Sequence, residues 1–149
     1  MTLPESRITD FIRQHHVLSL ATSFNNQPWI ANCFYVWMEE EAAFIFTSDS
    51  STKHIQDISE GNFVAGSVVL ETETIGKIRG IQFTGILSEP DNELKRKSKK
   101  IYLKRFPYAI LMKTKLWILK VDYIKMTDNR LGFGKKLMWE RNSKESEPS

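Results

Sequence analysis

Cysteine occurs once, at Cys33, in a chain of 149 residues. A single thiol excludes an intrachain disulfide and a cysteine-rich zinc site. No apolar run is long enough to cross a bilayer as a helix. The N-terminus lacks the basic-then-apolar order of a secretory signal. No carboxylate–histidine spacing fits a metal site, and no Gly-x-Ser-x-Gly marks a nucleophile elbow. Internal repeats and an interdomain linker are also missing. These absences fit a cytoplasmic protein without membrane association. They imply one domain over residues 1–141, with a polar flexible tail over 142–149.

What is present is ordinary for a globular protein, with 41% hydrophobic and 26% charged residues. The formal net charge is +3, and the excess is local. Lys95-Arg96-Lys97-Ser98-Lys99-Lys100 supplies much of it. Such a run either meets a polyanion or is the solvated face of a helix. No RNA- or DNA-binding motif accompanies it, and aromatics are not interleaved with its charges, so nucleic acid is not the expected partner.

Thr2-Leu3-Pro4-Glu5 reads as a capping box opening an amphipathic helix with Ile8, Phe11 and Ile12 on one side. Val17–Phe24 and Trp29–Met38 are β-forming runs around the turn signal Asn25-Asn26-Gln27-Pro28. Both faces of Trp29–Met38 are largely apolar, so each meets something other than water. A polar turn at Glu39-Glu40-Glu41 leads to a strand over 42–48, a short helix over 52–60 ended by Gly61-Asn62, and strands over 63–71 and 78–88. Asp91 caps a helix to about Phe106, with a further turn to Lys113 possible beyond Pro107. A long strand over 116–126 follows, with Trp117, Leu119, Val121 and Tyr123 on one face. The pattern is mainly β, a small antiparallel barrel with helices, because one helix per strand is not found.

Three segments could carry chemistry. Thr47-Ser48-Asp49-Ser50-Ser51-Thr52-Lys53-His54 joins a strand end to a helix start. It serves either as a plain cap or as a phosphate loop, since free amides, hydroxyls and Lys53 are donors there. His54 is either a base or ligand or a structural hydrogen-bonding residue. Arg79-Gly80-Ile81-Gln82-Phe83-Thr84-Gly85 is a strand whose glycines mark a bulge or a close backbone approach. Thr127-Asp128-Asn129-Arg130-Leu131-Gly132-Phe133-Gly134-Lys135-Lys136, followed by an apolar run to Trp139, is either an anion-closing loop or a basic hairpin.

Together these segments resemble the YhbP-like bacterial family, itself similar to the pyridoxamine 5′-phosphate oxidase-like split β-barrels. The resemblance runs from about residue 5 to Arg141, and Ile78–Phe83 and Thr127–Lys136 are its most specific parts. It implies an antiparallel split β-barrel of six to seven strands, dimeric, with FMN at the subunit interface. It places the cofactor phosphate on Ser50, Ser51, Thr52, Lys53 and His54. The flavin ring falls beside Asn32, Cys33, Phe34, Tyr35 and Thr47, and Gln82, Lys135 and Trp139 reach in from the partner subunit. The basic and Arg/His sets that the oxidase uses for its phosphates are not matched, so the implied activity is flavin-dependent oxidoreduction of an unidentified small molecule. The catalytic residues are not identified. A haem-binding split barrel with His15, His16 or His54 as ligand, and a non-enzymatic polyanion-binding protein, are the alternatives.

Overall fold

The structure, a computed structural model, describes residues 1–58, 62–111 and 114–142. The expected turn after Pro107 is a 3-10 helix over Pro107–Leu111, while its end at Lys113, the helix end at Gly61 and the tail from 143 onward lie outside the described residues. Helix α1 (Ser6–Gln14) leads into strands β1 (Val17–Phe24) and β2 (Gln27–Met38). β3 (Ala43–Ser48), α2 (Lys53–Asp57), β4 (Phe63–Val69) and β5 (Arg79–Ser88) follow. Then come α3 (Asn92–Arg105), β6 (Lys115–Asp128) and β7 (Lys136–Glu140).

All pairings are antiparallel, in the order β3-β2-β1-β4-β5-β6-β7. β3 also pairs with β6, which closes strands β1 to β6 into a split barrel. β7 continues along β6 beyond the part that β3 occupies. The β1–β2 turn is tight because Asn25 and Asn26 both take left-handed φ, at 50° and 59°. Asparagine tolerates that conformation, and a two-residue turn of this hand suits strand twist.

The barrel interior is filled by alternate residues of every strand, with Leu18, Leu20, Tyr35, Phe44, Phe46 and Phe83 among them and α1 plugging one end. Helix α3 covers part of the outer surface. There Tyr102 packs with Val36, Met38, Ile45 and Ile118. The two-sided apolar character of β2 is thereby explained: its C-terminal half lies between the barrel core and α3. Its earlier part, as far as Phe34, leaves Trp29, Ile30 and Phe34 exposed.

Two local expectations need correction. The N-cap of α1 is Glu5 and makes no side-chain capping bond, so Thr2–Glu5 is not a capping box. Pro4 lies one residue before that cap and is buried. In β6 the register shifts opposite Thr84 and Gly85, and Asp122 is the extra residue. Thr84 hydrogen-bonds its carboxylate. Trp117, Leu119 and Val121 enter the core before the bulge, and Ile124 and Met126 enter it afterwards. Tyr123 is therefore on the opposite face from the one its spacing predicts.

The last strand ties down distant parts of the chain. Trp139 donates its indole N–H to the Thr2 carbonyl at 2.8 Å. Arg141 donates to the carbonyls of Val121 (2.7 Å), Glu41 (2.8 Å) and Ala42 (2.9 Å).

Candidate functional site

Successive residues of a strand face opposite ways, and this divides the expected flavin contacts. Cys33 and Tyr35 point into the barrel. The Tyr35 hydroxyl donates to the Ile12 carbonyl at 2.6 Å, and its ring meets Phe44 edge-on. Burial pushes the Cys33 thiol up to about 11, with Ser48 opposing the shift. Both belong to the core, so a ring lying on the outer face of β2 touches Asn32 and Phe34 and not these two.

The outer face has its own order. Phe34 is 57% exposed, and its ring stands between His16, stacked at 5.9 Å, and Phe106 at 5.8 Å. Thr47, next to the Phe46–Tyr35 pair, shares this face, and its hydroxyl lies 3.4 Å from that of Tyr102. A polar row then crosses the sheet. Asn32, Ser19, Ser67, Gln82 and Lys125 are successive cross-strand partners on β2, β1, β4, β5 and β6. Ser19 donates to the Asn32 side-chain oxygen at 2.9 Å. Beside the row, Ile30, Ala21, Ala65, Thr84 and Tyr123 form a second line. A shallow hollow of about 370 Å³ lies over both. Gln82 thus shares a face with Asn32 but is three strands away, roughly 14 Å at ordinary strand spacing.

The loop after β3 is folded on itself. Asp49 accepts from the Ser51 amide (2.8 Å) and hydroxyl (2.9 Å), and these bonds hold its carboxyl below the usual carboxylate range. The Thr52 hydroxyl donates to the Asp49 carbonyl at 2.7 Å. Thr52 sits at the N-cap of α2 without a side-chain capping bond. Lys53 lies 3.0 and 3.3 Å from the two oxygens of Asp57 and 5.6 Å over the Trp29 ring. Asp57 is buried and also accepts from the Thr22 hydroxyl at 3.0 Å. Ser50 is exposed.

His54 is buried, with Nε2 2.8 Å from the Ser48 hydroxyl and 3.4 Å from that of Thr52. Burial lowers its pKa, and the Asp57 charge opposes this. A neutral imidazole in a hydroxyl network is a structural arrangement. Ser48 also receives the Trp117 indole N–H on its carbonyl at 3.2 Å.

The 127–141 segment is a hairpin built around a buried carboxylate. Asp128 accepts from the Arg130 amide (3.0 Å) and guanidinium (2.9 and 3.1 Å), which holds its carboxyl low. Asn129 bridges the turn, donating to the Ile75 carbonyl and accepting from the Gly134 amide. Gly132 and Gly134 take φ of 135° and 72°, conformations that glycine adopts without strain. Lys135 is exposed on this turn. Trp139 is 8% exposed and packs with the core, so its ring does not reach out to a ligand of the other subunit as the resemblance implies. Its place on the inner side of β7 follows from alternation with exposed Met138.

Charge spacing on α3 adds residues that treating 95–100 as a single run overlooks. Lys95, Lys99 and Tyr102 fall on one helical face and line a cavity of about 350 Å³ with Thr47 and Leu116. The (i, i+4) interval between the two lysines was the available signal.

Among the described residues, no group of histidine, cysteine, aspartate and glutamate could hold a metal ion. No described helix is long and apolar enough to cross a membrane.

No protein-family profile matches the chain. Among solved structures, the conserved hypothetical protein Rv2991 of Mycobacterium tuberculosis superposes with a TM-score of 0.72 at 15% identity, over 96% of each chain. A haem-binding protein of Mycobacterium smegmatis gives 0.71 at 14% identity, over 84% of this chain and 52% of its own. An FAD-binding protein of Mesorhizobium loti gives 0.67 at 12% identity, over 84% and 95%. At these identities the likeness is one of fold, an antiparallel split β-barrel with helices. Sequence relatives are nearer. UPF0306 protein plu4501 of Photorhabdus laumondii is 40% identical over 131 residues, 88% of this chain and 92% of its own. A UPF0306 protein of Klebsiella pneumoniae is 38% identical over 133 residues, 89% and 90% of the two chains. The chain belongs to the UPF0306 family.

Proposed function

We propose that this protein is a homodimeric, cytoplasmic flavin-binding split barrel that takes FMN at its subunit interface and serves as an oxidoreductase for a small molecule. Membership of the YhbP-like group, read from Ile78–Phe83 and Thr127–Lys136, belongs to the same proposal. The observation that carries it is the exposed outer face of β2. Asn32, Phe34 and Thr47 offer a flat apolar surface edged with hydrogen-bonding groups, and the Lys53 loop begins one strand end away. The residues fit the cofactor. An ammonium has three protons, so Lys53 can donate to a phosphate while keeping Asp57, and the Ser50 hydroxyl is exposed beside it. When bound, the flavin supplies hydride or electron transfer. The chain's own residues orient it: Phe34 covers a ring face, Asn32 and Thr47 bond a ring edge, and the partner's outer sheet face excludes water. The likeness to an FAD-binding protein supports this choice. The test is FMN titration of purified protein, followed by the visible spectrum and flavin fluorescence. Quenching at micromolar flavin is expected, and its absence overturns the proposal.

A second reading is favoured by one feature. His16 is exposed and stacked on Phe34, where it could ligate iron of a haem lying on the same face. The haem-binding protein of similar fold supports it. On haem titration this reading expects a Soret shift that His16→Ala abolishes and His54→Ala does not. A shift unchanged in His16→Ala rejects it.

A further inference from the structure

The cavity between α3 and the outer ends of β3 and β6 plays no part in the flavin proposal beyond sharing Thr47 at its margin. Its walls are of two kinds. Leu103, Ala109, Ile110 and Leu116 supply apolar surface. Lys95, Lys99 and Lys115 stand at the border against one carboxylate, Glu89. Lys115 pairs with Glu89 at 3.4 Å. Among the described residues, neither Lys95 nor Lys99 has a carboxylate within ion-pair distance. Among the described residues, the only ion pair formed by the basic run within α3 is Arg96 with Glu93, away from the cavity. Deeper in, the buried Tyr102 hydroxyl and Thr47 lie 3.4 Å apart and can bond a polar atom between them.

We infer that this cavity is a binding site for a small organic anion with an apolar body, its charged group held by Lys95 and Lys99. Two ammoniums one helical turn apart converge on one anionic group, and each charged hydrogen bond is stronger than a neutral one. The apolar body displaces water from Leu103 and Leu116. The volume of about 350 Å³ falls within the range of small-molecule sites. The basic run of 95–100 is thus two surfaces: Lys95 and Lys99 serve the cavity, while Lys97 and Lys100 face away from it.

The probe is 1-anilinonaphthalene-8-sulfonate, with uncharged N-phenyl-1-naphthylamine as its comparison, both added to folded, flavin-free protein. Lys95→Gln/Lys99→Gln should weaken the sulfonate about tenfold or more, because each lost charged contact is worth roughly a factor of ten. The same change should leave the uncharged probe within about twofold. Lys97→Gln/Lys100→Gln should leave both within that range. All four positions are exposed, so the variants fold. Equal weakening by the two double variants means diffuse attraction to a charged helix, as for a polyanion, and overturns the site. Saturable binding unaffected by Lys95→Gln/Lys99→Gln, or no saturable binding by the native protein, overturns it as well. FMN binding is not needed for any of these outcomes.

Discussion

Lys53 Nζ lies 3.0 Å from Asp57 Oδ1, and that carboxylate is buried while the lysine is half exposed. The two partners are therefore unequal. Asp57→Ala leaves the Thr22 hydroxyl without its acceptor inside the protein and should cost about 1–3 kcal/mol. Lys53→Ala removes a screened, half-exposed charge and should cost under about 1 kcal/mol. Urea midpoints of the two variants check the order. A larger loss for Lys53→Ala would mean that the lysine, not the carboxylate, anchors α2.

The same lysine separates phosphate from ring recognition. Under the flavin proposal, Lys53→Ala should weaken FMN about tenfold or more and leave riboflavin within about twofold. Fluorescence titration with both flavins measures the ratio. Equal losses would remove Lys53 from the phosphate site.

Acid should destabilise the fold through its histidines. Burial lowers the pKa of both His54 and His15 from 6.5, helped at His15 by the charges of Arg79 and His16. The unfolded chain then binds more protons than the folded one just below that value, so stability falls with falling pH. The contribution is complete above about pH 6.5 and is lost as pH drops through the lower folded values. Denaturation at pH 7.5 and pH 5.5 should show native protein weakened at the lower pH. In His54→Gln the difference should shrink. An unchanged pH difference in both His54→Gln and His15→Gln would contradict this.

Gly85 has no room for a side chain. A Cβ there would overlap the Lys120 carbonyl oxygen and come within 2.6 Å of Leu119 Cδ2. Gly85→Ala should destabilise by about 3 kcal/mol, at the upper end of overpacking effects. Gly76 has nothing within 4 Å of its Cβ direction, and Gly76→Ala should be nearly neutral. Thermal melts of the pair provide the contrast.

The outer sheet face predicts the assembly. Ile30 is 66% exposed beside the polar row of Asn32, Ser19, Ser67 and Gln82. A large exposed apolar area next to polar groups marks an association surface. If that surface forms the proposed dimer, Ile30→Arg should convert it to monomer in sedimentation velocity, with the circular dichroism of the folded protein retained and a melting temperature no longer dependent on protein concentration. A dimer that persists in Ile30→Arg places the interface elsewhere.

Much of this architecture was legible in the sequence because it rests on local rules. The Asn25-Asn26 turn, the alternating strands and α3 beginning after Asp91 all appear near their expected positions. Each is fixed by neighbours within a few residues. The glycines of β5 mark a bulge or close approach, and Gly85 does lie against the β6 backbone, but the extra residue, Asp122, was not legible because it depends on the register of two strands distant in sequence. The absent capping box has a similar cause: α1 starts at Ser6, and Thr2 instead offers its carbonyl to Trp139. At the site, Asn32, Phe34 and Thr47 share a face, while Cys33 and Tyr35 turn inward by strand alternation. The (i, i+4) spacing of Lys53 and Asp57 was an available signal, but the burial of Asp57 and its bond from Thr22 are tertiary facts.

The ties made by Trp139 and Arg141 bear on the order of folding. A chain emerging from the ribosome presents the strands up to β5 well before these two residues exist. Thr2, Glu41 and Ala42 must wait for partners about a hundred or more positions later in the sequence. Contacts of such separation carry a large loop-closure cost before they stabilise anything. Until the last strand arrives, the carbonyls of Thr2, Glu41 and Ala42 lack these partners, although the β3–β6 pairing can already close the barrel. A stalled or truncated product ending before β7 leaves the Tyr123–Thr127 edge of β6 unpaired, and an uncovered strand edge is a template for aggregation.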